Sequence, residues 1–464
     1  MKKYFLNNDL YNAFIKYYFV LISVIGIFFV FMITPVSGID EQFHFDRALQ
    51  VSQGDLLPQH RGRFLLGGDL NARLIRYAQY FEGRRDQRLS SDRTVAASLA
   101  HDLGQGPSGS TSVEFSSTAS YSPIMYLPAG FGLLLGRLVH APVDTQFFMG
   151  RLGNLLGFLA SLAVVLRVLP WGRLGVLALF STPTCLHLAA AYSADPLTNT
   201  LTLLFVACCL RFASMAQLGR RERVTLVFLG ATLGLLKLTC CVFSLAVFLL
   251  PRSLFSSWRQ WGVFCGTVVG ASCLTTVLWN GSYPFVPSVY WNTGGNPHVA
   301  AHLVLTQPLH VVGLIAEAFH EGSQWWWLDV YGRFGGGPEP QFFKVGANSA
   351  LLTLLCIALI GLCERKGPSR PLVGGMLAAI AIANVALILL AFYVGFTPVG
   401  SSIITGVQGR YFLLAAGLTY LGAISLLPAW RDRSQVGVVL LVMCGLLTLR
   451  VSVAALGIYS ANWH

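Results

Sequence analysis

Apolar residues run along this chain in blocks of about twenty, separated by short polar stretches. A helix of that length covers the roughly 30 Å hydrocarbon core of a bilayer. The first block, 17–36, is uncharged and follows Lys2, Lys3 and Lys16. It lacks the shorter apolar core and small-residue cleavage site of a removed signal peptide. It is therefore expected to remain as a membrane helix with the N-terminus inside. Further blocks fall at 146–167, 174–192, 197–214, 260–279, 346–363, 371–396, 411–429 and 436–457. Two apolar stretches do not read as simple crossings. The stretch 224–250 is too long for one helix and too short for two, and it carries Lys237 near its middle. It predicts a pair of short helices around that lysine. The stretch 123–139 contains Pro123, Pro128, Gly130, Gly132 and Gly136, which predicts an interfacial or juxtamembrane helix.

Basic residues then set the orientation. They cluster in four short loops: Arg220, Arg221 and Arg223; Arg252 and Arg259; Arg365, Lys366 and Arg370; Arg431 and Arg433. All four lie inside with the N-terminus only if 224–250 returns to the side it left and 123–139 does not cross. The expected fold is all-α: one polytopic helical membrane domain over 1–464 with about eleven transmembrane helices. Two long polar segments are left outside, 37–145 with juxtamembrane helices and 280–345. An extramembrane active site is expected in one of them.

Composition agrees with lipid as the solvent. The chain is 54% hydrophobic and 11% charged, against about 25% charged in soluble domains. The net charge of +12 reads as cytoplasmic loops and headgroup contacts, with no nucleic acid as partner. All ten cysteines lie in or beside apolar runs, so neither a disulfide framework nor a structural zinc site is expected. The first outer segment is rich in arginine: Arg61, Arg63, Arg73, Arg76, Arg84, Arg85, Arg88 and Arg93. That pattern fits a solvated basic loop or a landing area for an anionic glycolipid.

The densest candidate chemistry follows the first helix: Gly38-Ile-Asp40-Glu41-Gln-Phe-His44-Phe-Asp-Arg47. On a helix Asp40, His44 and Arg47 share a face, and Glu41 is offset. A carboxylate at a membrane helix mouth is tunable as a general base, and an arginine there can pair with phosphate. An ordinary polar helix end gives the same residues. Arg151 and Arg410 fall at outer helix ends, where they clamp phosphate or snorkel. Lys237 sits at mid-segment, where a charge needs a partner or a function. Asp195, before Pro196, is a turn cap or a second acid near a sugar. Trp325, Trp326, Trp327 and Tyr331 anchor at an interface or stack on sugars. Gly294–Gly295 and Gly335–Gly337 predict turns.

The order of these motifs resembles a large family of bacterial polytopic membrane proteins within the C-type (GT-C) glycosyltransferase superfamily. Its D-E-x-x-H-x-x-R opening is similar to Asp40–Arg47. Tyr121-Ser-Pro-Ile-Met-Tyr-Leu-Pro128, Gly150-Arg151-Leu152, Ser193-Ala-Asp195, Lys237, Trp327-Leu-Asp329 and Gln408-Gly-Arg410-Tyr411 resemble later segments in the same order. The Trp327 segment departs from the family pattern in lacking the preceding Leu-Gly. The resemblance implies transfer of a sugar from a polyprenyl-phosphate donor to an acceptor glycan, such as O-antigen or another surface polysaccharide. The reaction would occur on the periplasmic side of a bacterial inner membrane. It implies Asp40 as general base with Glu41 second. His44, Arg47, Arg151, Asp195, Lys237, Arg410 and Tyr411 would then bind substrate and phosphate. No cofactor is expected; a divalent metal is an alternative that the single His44 beside two carboxylates does not favour. A transporter or flippase of a lipid-linked or anionic substrate is the competing reading, and a silent assembly or immunity factor a third. The Lys237 break has no counterpart in the second half, as a transporter repeat would require.

Overall fold

The computed structural model describes residues 8–60, 65–86, 93–105, 109–283, 295–334, 343–364, 369–427 and 434–462. Lys2, Lys3, Arg61, Arg63, Arg88, Gly294, Gly335, Gly336, Gly337, Arg365, Lys366, Arg431 and Arg433 lie outside these residues. In chain order the first helices are α1 (Asn8–Met32), α2 (Glu41–Ser52), α3 (Ala72–Asp86), α4 (Arg93–Gln105), α5 (Ser116–Ala119), α6 (Leu127–Leu138) and α7 (Val143–Val168). The chain continues through α8 (Arg173–Leu179), α9 (Pro183–Ala190), α10 (Asp195–Phe212), α11 (Arg220–Leu235), α12 (Trp258–Ser282), α13 (Pro297–Thr306) and α14 (Pro308–Gly332). It ends with α15 (Phe343–Glu364), α16 (Pro371–Gly395), α17 (Leu413–Leu426) and α18 (Ser434–Asn462). The fold is helical and membrane-type, as the apolar blocks predict.

Seven helical spans among the described residues are long and apolar enough to cross a bilayer, or up to nine if two bent pairs each count as one. The seven coincide with expected blocks. The expected 174–192 block is the pair α8 and α9, bent by 65°. The expected 197–214 block is α10, a full 18 residues whose Thr198, Asn199, Thr200 and Thr202 dilute its apolarity. The second bent pair, α13 and α14 at 110°, falls in 280–345. That segment is therefore largely helical. A three-stranded antiparallel sheet is a departure from all-α: β1 (Gln59–His60), β2 (Leu66–Asn71) and β3 (Ser110–Glu114), in that spatial order. It packs on α2, where Gln50 Nε2 donates to Gly67 O of β2 at 3.4 Å.

The two irregular stretches take the forms their residues dictate. Pro123–Tyr126 is a 3-10 turn and α6 continues for 12 residues, about 18 Å and too short to cross. It lies against α7 so closely that a Cβ on Gly132 would meet Met149 O at 2.1 Å, so glycine lets the backbones touch. In 224–250, α11 runs 16 residues, Lys237 is extended (φ −86°, ψ 147°), and Leu238–Leu249 forms a 3-10 helix of 12 residues. Each limb is about 24 Å long, the second because a 3-10 helix rises about 2 Å per residue.

These limbs place charge at opposite ends of shared helices. α11 begins at Arg220 and α16 follows Arg370, whereas Lys237 ends the first limb and Arg410 precedes α17. The far end of α17 returns to the Arg370 end, where Arg370 N donates to Ser425 O at 2.8 Å.

Candidate functional site

At the Lys237 end, four charged side chains alternate in a row. Arg410 Nη2 donates to Asp40 Oδ2 at 2.5 Å, and its Nη1 lies 3.6 Å from Asp195 Oδ2. Asp195 Oδ1 in turn pairs with Lys237 Nζ. The residues come from four places in the chain: the turn after α1, the first residue of α10, the break after α11, and the 3-10 turn Gly409–Phe412. Two rings enclose the lysine. Its Nζ lies 5.5 Å from the Tyr121 ring centroid and 5.2 Å from that of Tyr411, within cation–π range. Tyr411 OH also accepts from Arg410 Nη2 at 3.0 Å.

Beside this row opens a cavity of about 620 Å³, a size suited to a small-molecule site. Asp195, Lys237, Arg410, Tyr121 and Tyr411 are among its polar lining. Leu387, Ile388, Leu390 and Ala391 of α16 and Leu236 and Leu238 of the break give it apolar walls. Asn384 also lines it, at the middle of α16; its Nδ2 donates to Thr239 O at 3.2 Å and its buried Oδ1 has no partner among the described residues. That amide was not singled out from the sequence, although a lone amide inside so apolar a helix is a signal of function.

Asp40 stands apart from its neighbour Glu41. It is the residue before α2 and has left-handed backbone, φ 56° and ψ 21°, without a side-chain cap bond. Such backbone in a non-glycine residue is strained and concentrates at functional sites. The turn sends the two carboxylates in different directions. Asp40 keeps 45% of its side chain open. The surrounding protein disfavours its charge, but the Arg410 guanidinium outweighs this and holds the carboxyl below the usual carboxylate range.

Glu41 is fully buried and forms a forked pair with Arg151, at 2.7 Å to Nε and 2.8 Å to Nη2. Glu41 also accepts from Gly38 N (2.9 Å) and Tyr192 N (3.1 Å). Arg151 donates to Val30 O, Ile33 O and Thr34 O, in the last turn of α1 and just past it. Neither residue reaches the cavity. Their expected roles, second base and phosphate clamp, give way to a buried joint between α1, α7 and the turn before α10.

Arg47 is likewise fully buried. It donates to Tyr121 O, Leu56 O and the Gln50 side chain, so its fork is occupied and it seats Tyr121 instead of binding phosphate. His44 shares a hydrogen with Tyr126 OH at 2.8 Å and stacks near Tyr121 at 6.2 Å. Burial pushes its pKa down to about 4 against the pull of Asp40, leaving a neutral ring rather than an anion-binding cation. Among the described residues no group of three or more His, Cys, Asp or Glu is placed to hold a metal ion. Trp326 packs on Phe412 at 4.6 Å and Tyr331 is buried, while Trp325 is exposed.

The Trp327-Leu-Asp329 segment explains how Arg410 is aimed. Asp329 Oδ2 accepts from Gly409 N at 3.0 Å and from Arg333 Nη1 at 3.0 Å. A Cβ on Gly409 would sit 1.9 Å from Trp326 O, so only glycine lets the turn close on α14. Gly409→Ala is expected to cost about 1–3 kcal/mol, as overpacking does, and to lower the thermal midpoint of the purified protein. An unshifted midpoint would show that the turn tolerates a side chain there.

A family model described as a predicted membrane protein (DUF2142) matches residues 23–419. No curated protein and no solved structure matches the chain. The matched span covers most of the chain and every residue gathered at the cavity; the chain belongs to this family of membrane proteins.

Proposed function

We propose that this protein is a membrane glycosyltransferase of the GT-C kind. It would move a sugar from a polyprenyl-phosphate donor to an acceptor glycan, with O-antigen or another surface polysaccharide as the acceptor class. The observation that carries the reading is the cavity itself: an apolar wall ending at Lys237 and Arg410, with an open carboxylate, Asp40, on Arg410. A lipid phosphate needs an apolar channel that terminates in cations, and its sugar needs a base nearby. In the proposed step, the acceptor hydroxyl oxygen bonds to the anomeric carbon. The bond from that carbon to the phosphate oxygen breaks, and the phosphate leaves with the electron pair. The hydroxyl proton passes to Asp40. The leaving group is already a stable anion, so Arg410 as a cation serves it better than an acid would. We place the basic loop ends at the cytoplasmic side of a bacterial inner membrane and the cavity at its periplasmic side, following the bias of short loops.

The test uses purified protein in nanodiscs with a radiolabelled polyprenyl-phosphate sugar and candidate acceptor glycans. A new glycosidic product is expected, and Arg410→Gln should reduce its rate by about a hundredfold or more, as lost transition-state donors do. With the same protein in sealed liposomes, movement of the lipid between leaflets with no linkage formed would instead support a transporter. Neither movement nor linkage would leave an assembly factor.

A further inference from the structure

The row is balanced: Asp40, Arg410, Asp195 and Lys237 are two acids and two bases in alternation. An incoming phosphate adds an anion that competes with the two carboxylates for the two cations. The two carboxylates are not held equally. Asp195 is 7% exposed, pairs with Lys237 and also faces Arg410. Asp40 is 45% exposed, lies in strained left-handed backbone and has no cap bond to α2. Arg410 has donors to offer, since among the described residues its Nε and Nη1 are buried without a hydrogen-bond partner. A guanidinium prefers to meet a phosphate with two parallel bonds.

We infer that the donor's phosphate displaces Asp40 from Arg410, so that the substrate itself releases the base. This deepens the transferase reading above and rests on it for the word donor. The exchange keeps the carboxylate occupied while the site is empty. Once the phosphate takes the guanidinium, Asp40 is free to accept the hydroxyl proton, and it no longer has the cation that weakens it as a base. Asp40 and the phosphate are thus competitors for one group, and removing Asp40 should help the phosphate bind.

The probe is farnesyl phosphate, which has an apolar tail and a phosphate but no sugar. Its binding to the purified full-length protein is measured for wild type, Asp40→Asn, Arg410→Gln and Asp55→Asn. Asparagine tolerates left-handed backbone, and a thermal melt checks that Asp40→Asn stays folded. Asp40→Asn is expected to bind about three- to tenfold tighter than wild type, the scale of a lost partly exposed ion pair with a charged hydrogen bond. Arg410→Gln should bind about tenfold weaker or less. Asp55→Asn, an exposed acid of the same segment, should bind as wild type does. Inorganic phosphate should show the same ratio between wild type and Asp40→Asn at lower affinity, and farnesol should show none.

Equal or weaker binding by a folded Asp40→Asn overturns the exchange, as does tightening by Asp55→Asn to the same degree. Lack of binding to wild type and Asp40→Asn alike overturns it too. Because the probe has no sugar, these outcomes are separate from catalysis. Tightening without any glycosidic product in the transfer assay would keep the exchange and sink the transferase. Product formation without tightening would do the reverse.

Discussion

Asp40→Asn should slow sugar transfer by about a hundred- to ten-thousandfold, the range of a lost general base, and leave the fold intact. Both halves of that expectation come from where the residue sits. Its side chain is 45% open and contacts Arg410, a residue that lines the cavity, so the substitution removes no buried packing. Its left-handed φ of 56° suits asparagine better than most residues. The carboxyl is held below its usual range by Arg410, which keeps it ionised at neutral pH and ready to take a proton once that contact loosens. Initial rates and a thermal melt on the same preparation give the answer. Undiminished transfer would remove Asp40 from the chemistry, and a collapsed melting temperature would make it structural.

Arg151→Met should behave in the opposite way, destroying stability rather than chemistry. The substitution leaves Glu41 fully buried and facing an apolar side chain, and removes the Arg151 bonds to three carbonyls around the end of α1. Breaking one half of a buried ion pair typically costs about 3–5 kcal/mol, a large part of the stability of most proteins. Little folded protein should be recovered from membranes. Replacing both partners, Arg151→Met with Glu41→Leu, should recover much of the loss, because two matched apolar groups demand no desolvation. Thermal melts of the two single variants and the double variant form the cycle. A folded Arg151→Met with normal melting would mean that the pair is not a structural joint, and that Glu41 must be reconsidered as a second base.

That contrast marks what was legible in the sequence. The apolar runs gave seven spans directly, because an unbroken run of about twenty residues has few alternatives in lipid. Lys237 revealed the short limbs around it, since an ammonium cannot lie unpaired inside a long apolar helix. The segment 280–345 read as loop because His310, Glu317, His320 and Glu321 interrupt the apolar pattern of α14, a helix of 25 residues. The sheet was invisible: β1 has two residues, too few to show alternation. At the site, Asp40, Asp195, Lys237, Arg410 and Tyr411 were picked out by motif and are brought together. Glu41, Arg47 and Arg151 were picked by the same logic and are buried joints, because a structural ion pair and a substrate clamp use the same residue types. Only the left-handed turn at Asp40, which separates two adjacent acids, distinguishes them. Asn384 and Asp329 act through contacts to the break and to Gly409, which sequence spacing does not encode.

The central claim is that a lipid-linked phosphate occupies the cavity beside Arg410. The most direct measurement is an electron-microscopy structure in nanodiscs with a saturating polyprenyl-phosphate sugar. Lipid-shaped density is expected along α16, with phosphate on the Arg410 guanidinium and the sugar next to an Asp40 released from it. Lipid density elsewhere, with the cavity empty and Asp40 still on Arg410, would contradict it.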